Sequence, residues 1–337
     1  MTFDPAESES INSELIDIDC LVKWLDSRGL EMAQPIRITA LTSGRSNAMF
    51  VIDRGTSSWV LRRPALVAID RANEGMAREY RILDALKGFP IPHPETVALC
   101  EDHGVLGCTF FLMQKVDGFN PSPPLPPPFT VEDQPGVLFA MIDAMASLHD
   151  FDWRNNGLGD LGRFEGFHER QVDRWRSQLA SYGGREFPNL EQVTGYLSAA
   201  LPSAFEPSLM HGDFHMFNLL LAPEPPGRVT AILDWETATI GDPLLDLTGF
   251  CEIMSNVIGS DDWPTRDELI RRYCTQREIE VPTDLAYYEA LYNFRMAVLL
   301  EGIYQRSLSD TTRPKLVEVG ERAMGFHRRA LEVVSGR

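Results

Sequence analysis

His211-Gly212-Asp213-Phe214-His215-Met216-Phe217-Asn218-Leu219-Leu220-Leu221, followed after a turn by Val229-Thr230-Ala231-Ile232-Leu233-Asp234-Trp235-Glu236, is the stretch on which the reading of the fold turns. Two short runs rich in Leu, Val and Ile are separated by a Pro/Gly-rich turn over 222–228, which predicts a small hairpin. Asp213 and Asn218 lie on the loop entering the first run, and Asp234 lies at the exit of the second. Antiparallel pairing would gather all three polar side chains at one end of the hairpin.

Outward from that hairpin, length and composition set bounds. The chain has 337 residues, beyond the roughly 250–300 at which a single core stops growing, so two lobes are expected. Apolar residues make up 44% and charged residues 24%, an ordinary globular composition. The net charge of −18 argues against a general nucleic-acid binder or a protein that binds anionic membranes, since both need basic surface. Cys20, Cys100, Cys108, Cys251 and Cys274 are scattered, with no CxxC or Cys/His ligand spacing, and fit reduced intracellular thiols. Residues 1–13 are polar and acidic without an apolar leader, and no run approaches the roughly 20 apolar residues of a membrane span. A cytoplasmic protein with a frayed N-terminal tail is expected, and a monomer and a homodimer are equally compatible with the sequence.

In chain order, residues 1–29 read as a tail and a helix over Asp17–Arg28. Residues 30–115 read as a compact α+β lobe. Its strands are expected at Ile36–Leu41, Ala48–Ile52, Ser57–Arg62, Thr96–Cys100 and Cys108–Gln114, with one helix over Arg71–Lys87. Lys115 to Phe129 holds six prolines and a glycine, so residues 116–130 form a hinge and an extended connector. The remainder, 131–337, is read as helical, with helices near Val131–His149, His168–Tyr182, Leu190–Ala200, Leu244–Ile258, Thr265–Gln276, Asp284–Arg306 and Arg313–Val334. The 211–234 hairpin is its one expected β interruption.

The chemistry follows from the three polar residues. A carboxylate able to take a proton, an amide oxygen and a second carboxylate together meet the needs of phosphoryl transfer from a magnesium nucleotide. His211-Gly212-Asp213 with Asn218 five residues after the Asp, then Ile232-Leu233-Asp234, then Gly241-Asp242-Pro243-Leu244-Leu245-Asp246-Leu247, form an ordered set. With it the chain resembles the aminoglycoside phosphotransferase and choline-kinase-like branch of the protein-kinase fold, from about Leu30 to the C-terminus. The resemblance implies a bilobal α+β fold with a five-stranded antiparallel sheet lobe and a larger helical lobe, and ATP and Mg2+ as cofactors. It implies that Asp213 orients and deprotonates the attacking hydroxyl, that Asn218 and Asp234 hold Mg2+, and that Asp246 braces the catalytic loop.

The same resemblance assigns the sheet lobe. Ser43-Gly44-Arg45-Ser46-Asn47 looks like the phosphate-covering loop, although its residues alone read as a turn. The phosphate-anchoring lysine of the family falls on Arg62, a permanently charged and bulkier substitute. Glu79 is the candidate helix partner of Arg62, with Glu74 as competitor. Met113 would border the adenine, and the backbones of Gln114 and Val116 would bond its edge. Phe217 stands where related sequences often have Gly, so the backbone there does not need glycine's freedom. His215 either positions the transferred phosphate or the acceptor, or packs under the loop.

For the acceptor, Gly157–Phe167 and Glu169–Trp175 resemble the subgroup related to kinase domains fused to acyl-CoA dehydrogenases, which implies a hydroxyacyl-CoA-like small molecule as the hydroxyl acceptor. Arg154, Arg163, Arg170, Arg174 and Arg176 concentrate positive charge that suits a phosphate-bearing acceptor. An aminoglycoside phosphotransferase would instead line its pocket with carboxylates, for which Glu252, Asp261, Asp262 and Glu301 are candidates. Two other readings are a catalytically silent nucleotide-binding protein, motivated by Arg62, and a metallohydrolase, motivated by the alternation of His211, Asp213 and His215.

Overall fold

A computed structural model of the chain describes residues 15–43, 47–64, 69–258, 262–310 and 314–336. It divides into two units, one built from Met1–Ser122 and Met216–Thr237, the other from Pro123–His215 and Ala238–Arg337. The hairpin segment, which the sequence reading puts within the helical region 131–337, is thus part of the first unit.

The first unit starts with helix α1, Ile18–Ser27, whose N-terminus is capped by Asp17 accepting from the Cys20 N–H at 2.9 Å. Its apolar stripe buries Leu21, Trp24 and Leu25, and the Trp24 ring meets Phe110 edge-on at 4.9 Å. Strands β1 (Ile36–Ser43), β2 (Asn47–Arg54), β3 (Ser57–Pro64), β4 (Thr96–Cys100) and β5 (Phe110–Gln114) form a five-stranded antiparallel sheet in the order β1-β2-β3-β5-β4. One face of the sheet, carrying Phe50, Ile52, Leu61, Phe110 and Leu112, closes on α1 and a short helix α3, His103–Leu106. Helix α2, Ile69–Ala85, packs against β3, β4 and β5. The fifth strand begins two residues later than its apolar run suggests. The Thr109 N–H is taken by Asn73 Oδ1 at 2.9 Å, which pins the segment to α2 before pairing with β3 starts.

Met216–Asn218 forms a single 3-10 turn leading into β7, Leu219–Leu221, which pairs antiparallel with β8, Val229–Ile232. Phe217 sits in that turn with an ordinary negative φ and a half-exposed ring, which accounts for a bulky residue there. The Pro-rich connector holds the hairpin: Phe119 exchanges backbone hydrogen bonds with Leu221, and Asn120 Nδ2 donates to the Met216 carbonyl at 2.8 Å. Gly118, at φ 155°, lets the two backbones approach, since a Cβ there would stand 2.8 Å from the Leu221 oxygen.

The second unit is helical: α4 (Gln134–His149), α5 (Gln171–Ser181), α6 (Leu190–Ala199), α7 (Leu244–Val257), α8 (Arg266–Gln276), α9 (Ala286–Ser309) and α10 (Val317–Val334). Thr265 and Glu268 form the capping box that starts α8. The long helices α9 and α10 pack along each other, and α4 packs on α8. A second small sheet that the sequence reading lacks, β6 (Ser208–Met210) with β9 (Thr239–Gly241), lies in this unit. Its strands have three residues each, too short to show an alternation.

Candidate active site

In the second unit, β6 ends directly in His211-Gly212-Asp213, and Asp246 on the first turn of α7 fixes that loop. Its carboxylate accepts from the His211 N–H at 2.7 Å and the Gly212 N–H at 3.0 Å, and takes a third hydrogen bond from His149 Nε2 at 3.3 Å. His149 Nδ1 lies 2.7 Å from the Tyr273 hydroxyl, so a neutral imidazole satisfies both neighbours. Burial disfavours the charge on both members of this pair. The result is a neutral His149, while hydrogen bonds to Asp246 keep its carboxyl below the usual carboxylate range. Gly212 takes φ +80°, a conformation that opens the loop and that an L side chain resists. Its carbonyl accepts from Arg295 Nη2 at 2.6 Å.

Asp213 follows, with His215 Nε2 3.4 Å from its Oδ2. Burial raises the Asp213 carboxyl, but the hydrogen bond and charge of His215, with the charge of Arg295, outweigh it and bring it below the ordinary range. His211 is fully buried, and its Nδ1 accepts from the Asp213 N–H at 3.3 Å. Among the described residues no group of three His, Cys, Asp or Glu is arranged to hold a metal, so the alternation of His211, Asp213 and His215 does not build the site a metallohydrolase requires.

In the first unit, the hairpin brings Asn218 and Asp234 to one end, since the Leu233 N–H donates to the Asn218 carbonyl at 2.8 Å. Asp234 sits at φ 65°, an uncommon conformation for a residue other than glycine. Arg62, on β3, reaches both carboxylates of this region: Nε donates to Glu79 Oε2 at 2.8 Å and Nη2 to Asp234 Oδ1 at 2.7 Å. Arg62 and Glu79 are 5% and 2% exposed, so this pair is desolvated and leaving either partner alone would be costly. Burial works against the guanidinium charge, yet Glu79 and Asp234 more than restore it. Glu79 also accepts from the Trp235 N–H at 3.3 Å, tying α2 to the end of the hairpin. Glu74, the competing partner, is exposed.

Met113 is buried in β5, and the Gln114 N–H is bound to the Glu95 carbonyl at 2.7 Å. Asn47 donates to Glu236 Oε2 at 3.2 Å. Of the phosphate-loop set, Gly44, Arg45, Ser46 and the side chain of Ser43 lie outside the described residues. Of the carboxylates an aminoglycoside site would use, Glu301 is buried against Arg185 at 2.8 Å, Glu252 accepts from Asn293 at 3.0 Å, and Asp261 lies outside the described residues. The structure also adds Arg295 and Tyr292 of α9, which the sequence reading does not single out. An Arg and a Tyr inside a long helix carry no local signature.

A five-stranded antiparallel sheet with a helical unit is the protein-kinase-like fold of the small-molecule phosphotransferases. Residues 37–290 match the model of the Phosphotransferase enzyme family, APH, and the chain belongs to that family. It is 33% identical over 334 residues to acyl-CoA dehydrogenase family member 11 of Gallus gallus, covering 91% of this chain and 42% of that protein. It spans 28% to 42% of the length of the curated relatives it matches. Among solved structures, a Ralstonia eutropha protein described as a candidate aminoglycoside phosphotransferase superposes with TM-score 0.82 at 26% identity, covering 95% of this chain and 98% of that one. The GDP complex of an aminoglycoside 2'-phosphotransferase-IIIa variant shares the fold, with TM-score 0.63 at 16% identity, over 94% and 98% of the two chains.

Proposed function

We propose that the chain transfers the γ-phosphoryl group of magnesium ATP to the hydroxyl of a small organic acceptor, a hydroxyacyl-CoA-like thioester. The observation that carries this reading is the Arg62 bridge to Glu79 and Asp234, a buried cation held against the carboxylate assigned to the metal. Arg62 grips the nucleotide phosphates, with Glu79 fixing its rotamer. The amide oxygen of Asn218 and the carboxylate of Asp234, at one end of the hairpin, are the hard oxygen donors that suit Mg2+. When bound, the ion neutralises charge on the phosphate oxygens.

Asp213 orients the acceptor hydroxyl. As the hydroxyl oxygen bonds to the γ-phosphorus and the bond to the ADP oxygen breaks, the hydroxyl proton passes to the Asp213 carboxylate. A carboxyl held below its usual range is ionised and ready throughout the neutral region, and it acts more as an orienting acceptor than as a strong base. His215, 3.4 Å from Asp213, restricts the rotamer of that carboxylate. At the adenine, the Gln114 N–H is committed to Glu95, so contact falls to the Gln114 carbonyl and the Val116 backbone, with Met113 behind the base.

The acyl-CoA dehydrogenase relatives support the thioester as acceptor, and the Ralstonia eutropha likeness keeps an aminoglycoside as the second reading. The test is an acceptor screen for ADP release that sets hydroxyacyl-CoAs against aminoglycosides and choline-like alcohols. Turnover with the thioesters alone is the expected result. Turnover only with aminoglycosides would establish the second reading, and ATP binding without turnover on any acceptor would sink the transfer reaction.

A further inference from the structure

The arginines that gather between residues 154 and 176 are not equivalent. Arg154 pairs with Glu206 at 3.2 Å, Arg176 pairs with Glu191 at 2.7 Å, and Arg170 donates to the carbonyls of Glu165 and Arg163. Arg174 has no carboxylate partner among the described residues, and its guanidinium lies over the Trp175 ring, 5.0 Å from the centroid. Arg295 approaches the same ring from α9, at 5.7 Å, also without a carboxylate partner among the described residues. Two cations therefore flank one indole in a chain of net charge −18, where an arginine that finds a carboxylate partner is easily supplied.

Three further features place this cluster on the acceptor side of the reaction. Arg295 Nη2 holds the Gly212 carbonyl, one residue before Asp213. Arg295 Nε is buried with no hydrogen-bond partner among the described residues, and so is the hydroxyl of Tyr292, a residue only 7% exposed and one helical turn away. Tyr292 lies within electrostatic reach of both Arg295 and Asp213. Glu252, the other carboxylate within electrostatic reach of Tyr292, accepts from Asn293 Nδ2 at 3.0 Å. Trp175 is immobilised beneath them by its Nε1–H donating to Gln171 at 3.1 Å, and is 4% exposed. A planar guanidinium stacked on a fixed ring is preorganised for bidentate recognition of a carboxylate or phosphate.

We propose that Arg174 and Arg295, seated on Trp175 beside the Asp213 loop, select acceptors that carry a carboxylate or phosphate group in addition to the hydroxyl. The proposal rests on the phosphotransferase reading for its placement at the acceptor, but its test reads binding first. The full chain, without nucleotide, is titrated calorimetrically with four probes of equal chain length: a hydroxyalkyl carboxylate, a hydroxyalkyl phosphate, the methyl ester of the carboxylate, and an amino alcohol. One of the two anions should bind at least about tenfold more tightly than the ester, and the tighter of the two identifies the group recognised.

Arg174 is exposed, so Arg174→Gln should fold normally, with an unchanged melting temperature, and should bring the affinity for the anion down to that of the ester. Arg174→Glu should reverse the order in favour of the amino alcohol. No saturable binding of either anion, equal binding of anion and ester, or an Arg174→Gln protein that binds the anion as the wild type does would overturn the proposal. In turnover, Arg174→Gln should raise KM for an anionic acceptor about tenfold and leave kcat unchanged. Arg174-dependent anion binding without ADP release from any acceptor would defeat the phosphotransferase reading and leave the anion site standing.

Discussion

At the scale of single residues, the roles assigned to the two aspartates separate cleanly in kinetics. Asp213→Asn should lower kcat by about three orders of magnitude while leaving nucleotide affinity within a few-fold of wild type. Asp234→Asn should act the other way, weakening magnesium-nucleotide binding measured by titration, because it removes the negative charge and leaves one amide oxygen to serve both the metal and Arg62 Nη2. An Asp213→Asn enzyme that turns over undiminished would remove the basis of the mechanism. Arg62 is open to a stability measurement as well. Arg62→Met leaves Glu79 buried without its cation, at a cost of about 3–5 kcal/mol in denaturant unfolding, and adding Glu79→Gln should return much of that loss. Asp213, Asn218 and Asp234 were legible in the sequence because they fall within a short span; the structure puts Asn218 and Asp234 at one end of the hairpin and Asp213 on the loop after β6, in the second unit. Arg295, Tyr292 and their meeting with Trp175 were not legible, because helix α9 lies over a hundred residues after α5 and only tertiary packing joins them.

At the scale of elements, the Asp213 loop depends on Asp246 more than on its own residues. Asp246→Asn keeps one acceptor oxygen but turns an amide N–H2 toward neighbours that already donate, the His211 and Gly212 N–H groups and His149 Nε2. The expected cost is about 1–3 kcal/mol of stability with a parallel fall in kcat, checked by unfolding and turnover on the same preparation. Gly212→Ala should cost about 1–2 kcal/mol through its positive φ alone, and should shift the carbonyl that Arg295 holds. Sequence periodicity placed the principal helices and the five long strands to within a few residues, since their cores repeat at 3.6 or 2 residues. It missed the β6–β9 pair and the late start of β5. Three-residue strands have no period to detect, and the contact of Asn73 with Thr109 is tertiary.

At the scale of the whole molecule, stability should follow pH through buried neutral histidines. Burial lowers His149 and His327 from the ordinary histidine value, and His93 moves the same way. The unfolded chain then takes up protons near pH 6.5 that the folded chain refuses, so stability is complete above that value and declines as pH falls below it. Each such histidine can contribute a slope of at most about 1.4 kcal/mol per pH unit. Melting temperatures measured from about pH 8 down to pH 5 should fall on the acid side, and His327→Gln should flatten part of that fall. Asp213, being depressed, should give no acid limb of kcat/KM within the same window.

The chain leaves the first unit at Ser122 and returns to it only for Met216–Thr237. During synthesis that unit therefore waits. When residue 122 has been made, β1 to β5 exist but Glu79 lacks the Trp235 N–H, the Pro92 carbonyl lacks the Ile232 N–H, and Arg62 lacks Asp234. More than a hundred residues, including helices α4 to α6, must be made before the hairpin arrives to close the set. A fragment ending at the connector is then not an independent folding domain. Expressed alone, it should show lower hydrogen-exchange protection in α2 than the full chain, and adding residues 216–237 as a separate peptide should restore part of that protection.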